Sequence, residues 1–94
     1  MAERKKFDQK LIKIGQMLES RRKMLGKKYA TRESFIEHRS VEIFGGKPWI
    51  SVRHLSNIEL GKNWISIEKL IIHSYALEMD PVDLLTEILE IYNS

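Results

Sequence analysis

The chain of 94 residues contains no cysteine, which excludes disulfide staples and thiolate metal sites and fits a reducing, cytoplasmic setting. It also lacks any apolar run approaching the ~20 residues that span a bilayer. Its first residues lack the apolar stretch of a signal peptide, so the expectation is a soluble chain without a membrane partner. No internal repeat and no low-complexity segment is present. His38, His54 and His73 are scattered, with no carboxylate beside them at ligand spacing, so no metal site is expected. Ser34 has no neighbouring His and Asp to activate it, and Gly45-Gly46 lacks the spacing of a phosphate loop. An enzyme is therefore the least supported class, and no cofactor or small-molecule ligand is evident.

Acidic residues are scarce in one part of the chain only. Residues 1–62 hold fifteen Lys or Arg against seven Asp or Glu, a balance of +8. Residues 63–94 hold one Lys against six acids, a balance of −5, which brings the total to +3. A basic body suits a polyanion, because neutralised phosphates release counterions. The acidic end should face away from it. With 43% hydrophobic and 31% charged residues, the composition is that of one globular domain with a single core.

Along the chain, residues 1–7 form a basic arm, and residues 8–94 form the domain. Asp8 can cap a first helix that runs to about Leu25 and stops at Gly26. Leu11, Ile14, Leu18 and Leu25 share its inner stripe. Gly15 in mid-helix costs roughly 1 kcal/mol relative to Ala, which predicts a close helix contact there. Thr31 can cap a second helix that buries Phe35 and Ile36 and runs to Arg39 or a turn further. Residues 41–50 allow two readings. Val41 and Ile43 alternate with Glu42 ahead of a Gly-Gly turn, as in a small β-hairpin. Alternatively the second helix continues to Phe44, stops at the glycines and leaves Lys47–Ile50 as a loop. Ser66 can cap a fourth helix to Leu77, with Ile67, Leu70, Ile71 and Leu77 inward. Asp80-Pro81 is a cap followed by proline at the first helical position, and it opens a fifth helix over 81–92.

The third helix, 51–60, carries the functional signal. Ser51 is its cap, Leu55 and Ile58 share the buried side, and Gly61 ends it. Val52, Arg53, Ser56 and Asn57 point elsewhere. Arg and Asn can make paired hydrogen bonds to base edges in the major groove, and Val can touch a thymine methyl. Lys62 follows where a phosphate could lie.

The pattern resembles the helix-turn-helix domain of the Cro and phage-repressor type, the xenobiotic-response-element family. The resemblance rests on Ile14-Gly15 and Arg22, on Thr31 to Ile36, on Ile50 to Lys62, and on Leu70 with Asp80-Pro81-Val82-Asp83-Leu84-Leu85. It implies an all-α, five-helix, lambda-repressor-like domain that binds operator DNA as a dimer, mostly as a repressor. It implies base reading by Val52, Arg53 and Asn57, with Ser56 at the edge of that face. It assigns backbone contacts to Ser51, His54, Lys62, Asn63 and Thr31. Arg22 and Glu59 match an ion pair that orients the recognition helix. The chain departs from the pattern at Glu37 to Ile50, fourteen residues where about five are usual. Lys47 and Arg39 in this insertion could reach phosphates, or Trp49 could pack beneath it.

The fifth helix has more apolar surface than one stripe needs. Leu85, Ile88, Leu89 and Tyr92 are expected to form a homodimer interface that sets two recognition helices ~34 Å apart on a near-palindromic site. The functional expectation is a sequence-specific regulator of transcription, bacterial or from a mobile element, acting as a repressor on double-stranded DNA. The alternative is a protein-interaction module on the same scaffold, an antitoxin or an adaptor that sequesters another regulator.

Overall fold

The computed structural model describes residues 8–94, so the basic arm expected over residues 1–7 lies outside the described residues. Five α-helices follow one another: α1 (Gln9–Met24), α2 (Arg32–Ile43), α3 (Val52–Glu59), α4 (Ile67–Ala76) and α5 (Pro81–Tyr92), with one 3₁₀ turn at Lys27–Tyr29. There is no strand among the described residues. The protein is all-α.

Each helix starts where a short polar side chain can take up an orphan backbone donor. Asp8, Thr31, Ser51, Ser66 and Asp80 accept from the N–H groups of Lys10, Ser34, His54, Lys69 and Val82. These five starts are the ones the sequence predicts. The helices close around a core that includes Leu18, Phe35, Leu55, Trp49 and Leu84. Helix α1 runs through the middle and packs against both α3 and α5.

The predicted close contact at Gly15 is with α3. A Cβ at this position would lie 2.4 Å from the Glu59 carbonyl oxygen and 2.7 Å from that of Ile58, so only glycine lets the two backbones meet. Gly61 performs the complementary task at the end of α3. It has φ 75°, and its missing side chain leaves room for the backbone of Ile12, whose Cα would be 2.6 Å from a Cβ.

The two readings of residues 41–50 resolve in favour of the helix. Helix α2 continues to Ile43, with Phe44 as its C-cap, and the chain turns at Gly45-Gly46; no hairpin forms. The loop is pinned back onto α2. Gly46 N–H donates to the Ser40 carbonyl at 2.8 Å, and Ser40 Oγ donates to the Lys47 carbonyl at 2.7 Å. Trp49 enters the core, stacks on Phe44 with centroids 5.0 Å apart, and donates its indole N–H to the Ile36 carbonyl. Most of the insertion is thus spent on one more turn of α2 and an aromatic plug.

Helix α4 departs from the sequence expectation. Leu70 and Leu77 are buried as predicted, but Ile67 is 68% exposed and Ile71 38% exposed. In their place His73, Ser74 and Ala76 face inward. Helix α4 is apolar over most of its circumference, so its periodicity alone does not select the buried side. Among the four residues expected at a dimer interface, Ile88 is buried in the chain's own core, whereas Leu85, Leu89 and Tyr92 remain exposed. Among the described residues no helix is long and apolar enough to cross a membrane.

Candidate nucleic-acid interface

The outward face of α3 is built from the residues the sequence singles out. Val52 is 40% exposed and Arg53 is exposed, with Ser56 and Asn57 half-buried beside them. Leu55 and Ile58 anchor the opposite face in the core. Ser51 is exposed at the start of the helix, its oxygen accepting the His54 N–H at 3.0 Å, which leaves its hydroxyl proton free to donate. At the other end the N–H groups of Lys62 and Asn63 both donate to the Asn57 carbonyl, at 2.8 and 3.3 Å. The exposed side chains of Lys62 and Asn63 therefore stand at a fixed place beyond the helix terminus.

A groove of about 300 Å³ separates the start of α2 from α3, and Thr31, Arg32, Val52 and Ser56 line it. Thr31 is exposed there, its oxygen tied to the Ser34 N–H. Carboxylates of Glu19 and Glu33 share the groove with Arg22, Lys23 and Arg32, and Glu59 beneath pairs with Arg22 and Arg32, so charge there is balanced. The uncompensated cations lie further along, because Arg53 and Lys62 form no ion pair among the described residues. Lys47 is also exposed and unpaired among the described residues, but it does not line this groove.

One of the contacts expected from the sequence is corrected, and a second is narrowed to one ring nitrogen. Arg39 is not a free phosphate contact. It is buried, lies 4.3 Å over the Tyr29 ring, and pairs with Glu42 at 3.2 Å and Glu78 at 2.6 Å. His54 is half-buried with its Nε2 enclosed, which turns the distal ring nitrogen away from any backbone that passes outside α3.

What holds α3 in place is a buried charge cluster. Arg22 on α1 is 2% exposed and grips Glu59 with two parallel bonds, Nε to Oε2 at 2.9 Å and Nη2 to Oε1 at 3.0 Å. Its remaining nitrogen donates to the Tyr29 carbonyl at 3.0 Å and to that of Ala30. Every nitrogen of the guanidinium thus has a partner, the condition under which a buried ion pair is not a liability. Arg32 adds a second cation on Glu59, Nε to Oε1 at 2.8 Å, a contact absent from the sequence expectations. A signal is available, since an arginine in the first turn of a helix opposes the macrodipole and calls for a carboxylate partner. Glu59 therefore joins α1, α2 and α3 through one side chain.

His73, which the sequence reads as an ordinary surface or boundary residue, is instead part of the core. It lies fully buried between Phe35 and Trp49, with ring centroids 6.3 and 6.2 Å away, and neither ring nitrogen has a hydrogen-bond partner. Burial, reinforced by the charge of Arg22 and then by His54, pushes its pKa down to about 4. The core is thus built for neutral imidazole.

The geometry offers a fixed, polar helix face with one Arg, one Asn and one flanking Lys, backed by a rigid ionic joint. Among the described residues no three His, Asp or Glu side chains converge as a metal site. No family model, no curated protein and no solved structure matches this chain.

Proposed function

We propose that the protein is a sequence-specific double-stranded DNA-binding regulator of the Cro and phage-repressor type that lays α3 in the major groove and acts as a repressor by occluding promoter DNA. The observation that carries this reading is the pairing of an unneutralised Arg53 and Asn57 on one face of α3 with the Arg22–Glu59–Arg32 joint beneath it. A helix that reads bases must present bidentate side chains in a pose that does not drift, and both parts are present. Arg53 contacts guanine O6 and N7, Asn57 contacts adenine, and Val52 and Ser56 complete the face. Ser51, Thr31, Lys62 and Asn63 contact the phosphate backbone, with Lys47 on the flank. Two copies bind a near-palindromic operator, one α3 per half-site.

The test is selection from a random pool of duplexes at fixed salt. The expected result is one enriched near-palindromic motif with half-sites about 10 base pairs apart. If no motif emerges while the protein forms a stable complex with another protein, the protein-interaction module takes its place.

A further inference from the structure

The three devices that hold α3 all act on its last turn. Gly15 meets the carbonyls of Ile58 and Glu59, Arg22 and Arg32 grip the Glu59 side chain, and Gly61 seats the turn that follows. Arg53 stands six residues earlier, about 9 Å along the helix axis at ~1.5 Å per residue. A tilt of about 10° about Glu59 would move it by roughly 1.5 Å, more than the ~0.5 Å within which a binding constellation must be held. Leu55 and Ile58 bury the inner side, but apolar contact is non-directional and does not by itself set an angle. The start of α3 therefore needs a hold of its own, the more so because the fourteen residues before it, 37–50, include the glycine turn.

That hold is Trp49, just ahead of the Ser51 cap. Its ring is buried against Phe44, Phe35 and His73, with centroids 5.0, 5.6 and 6.2 Å away, and its indole N–H donates to the Ile36 carbonyl at 3.0 Å. These contacts tie it to α2 and the core. Its carbonyl is tied to α4, where Lys69 Nζ donates to it at 2.9 Å. Lys69 is half-buried, forms no ion pair among the described residues, and is the one lysine of residues 63–94. The Ser66 hydroxyl oxygen accepts its backbone N–H at 3.1 Å, so both ends of the Lys69–Trp49 link are anchored. A cation in the first turn of a helix opposes the macrodipole, so α4 gains nothing from a lysine here. The gain lies at the Trp49 carbonyl, in a charge-assisted bond. We infer that Lys69 is a positioning residue for base reading: it holds the Trp49 carbonyl, fixes the entry of α3 and so sets the angle at which Arg53 is presented. This deepens the proposed function and rests on it, but one arm of its test uses no DNA, so failure of either can be seen separately.

Amide hydrogen exchange in the full chain reads the hold directly. The N–H groups of His54 and Leu55 are bonded to Ser51, and that of Leu60 to Ser56 at the far end of α3. Lys69→Met keeps the length of the stem and removes the donor. In it the His54 and Leu55 amides should exchange about tenfold faster, the loss of one charge-assisted bond, with Leu60 unchanged. Lys69→Arg, which keeps a donor, should restore wild-type exchange. On duplexes at fixed salt, Lys69→Met should lower discrimination at the base position read by Arg53 about tenfold. The slope of log affinity against log salt should not move. Should Lys69→Met lose helical circular dichroism, Lys69→Gln is read in the same way. Wild-type exchange and wild-type preference in a folded variant overturn the inference. A slope shallower by about one unit with the preference intact makes Lys69 a phosphate contact and overturns it too. A wild type that selects no motif overturns the reading role of α3, and exchange then decides by itself whether Lys69 holds the helix entry.

Discussion

Helix α3 and the α4–α5 face are both open to solvent, but they are prepared in opposite ways. The outer side of α3 is polar, and the helix behind it is fixed from three directions: by the glycine contact at Gly15, by the Arg22–Glu59–Arg32 cluster, and by the turn at Gly61. The outer side of α4 and α5 is apolar, and Lys10 reaches its border at Tyr92. Hydrogen-bond donors discriminate only when their positions are defined, because a misplaced donor leaves a base edge unpaired. Apolar surface is non-directional and gains in proportion to the area removed from water. The rigid joint therefore belongs under the polar surface, and the apolar one can do without it.

The sharpest way to break this contrast is to remove the joint. Glu59→Ala leaves the buried Arg22 guanidinium without its carboxylate, and the expected loss is about 3–5 kcal/mol in urea denaturation. Arg32→Ala, at a cation with a quarter of its side chain exposed, should cost about 1 kcal/mol or less. Equal losses would show that Glu59 is not the centre of the cluster.

Acid tests the core between the two regions. His73 titrates near its ordinary value when unfolded but is held at about 4 when folded. Below pH 6.5 the unfolded chain takes up a proton that the folded chain refuses, so stability falls as pH drops from 6.5 towards 4. The full effect is on the order of 3 kcal/mol. In His73→Leu the slope of unfolding free energy against pH over that window should flatten; an unchanged slope would assign the acid sensitivity elsewhere.

On the face of α3, Arg53→Ala should relax the selected motif at one base position with a loss of ~1–3 kcal/mol, read by fluorescence anisotropy. A weaker complex with an unaltered preference would sink its base-reading role. The smallest effect belongs to Lys62→Ala. It should weaken binding to every sequence alike and make the slope of log affinity against log salt shallower by about one unit. A slope that does not move means that Lys62 touches no phosphate.

Much of the scaffold is legible along the chain because its signals are local. Asp8, Thr31, Ser51, Ser66 and Asp80 each act on a backbone donor two or three residues away, and Gly26, Gly45 and Gly61 mark ends set by φ. The pair Arg22 and Glu59 is legible only through the family resemblance, since nothing local joins residues 37 apart. Glu42, three residues on, is a partner that helical spacing offers Arg39, whereas Glu78 is hidden for the same reason. Whether a cation on an exposed-looking turn meets phosphate or carboxylate depends on where Glu78 lands, and that is a property of the packed chain.

The sequence by itself determined the five helices, their starts, the stops other than that of α2, and the polar face of α3, because capping, φ preference and a 3.6-residue period act within a few residues. Only the tertiary structure decided the rest. It resolved residues 41–50 as helix and loop, since the Trp49 ring had a core site to fill. It turned Ile67 and Ile71 outward and His73 inward, since a helix with apolar residues on several sides buries only the side that meets its neighbours. It gathered Arg22, Arg32 and Glu59 into one joint, because charges taken out of water must find partners across the fold.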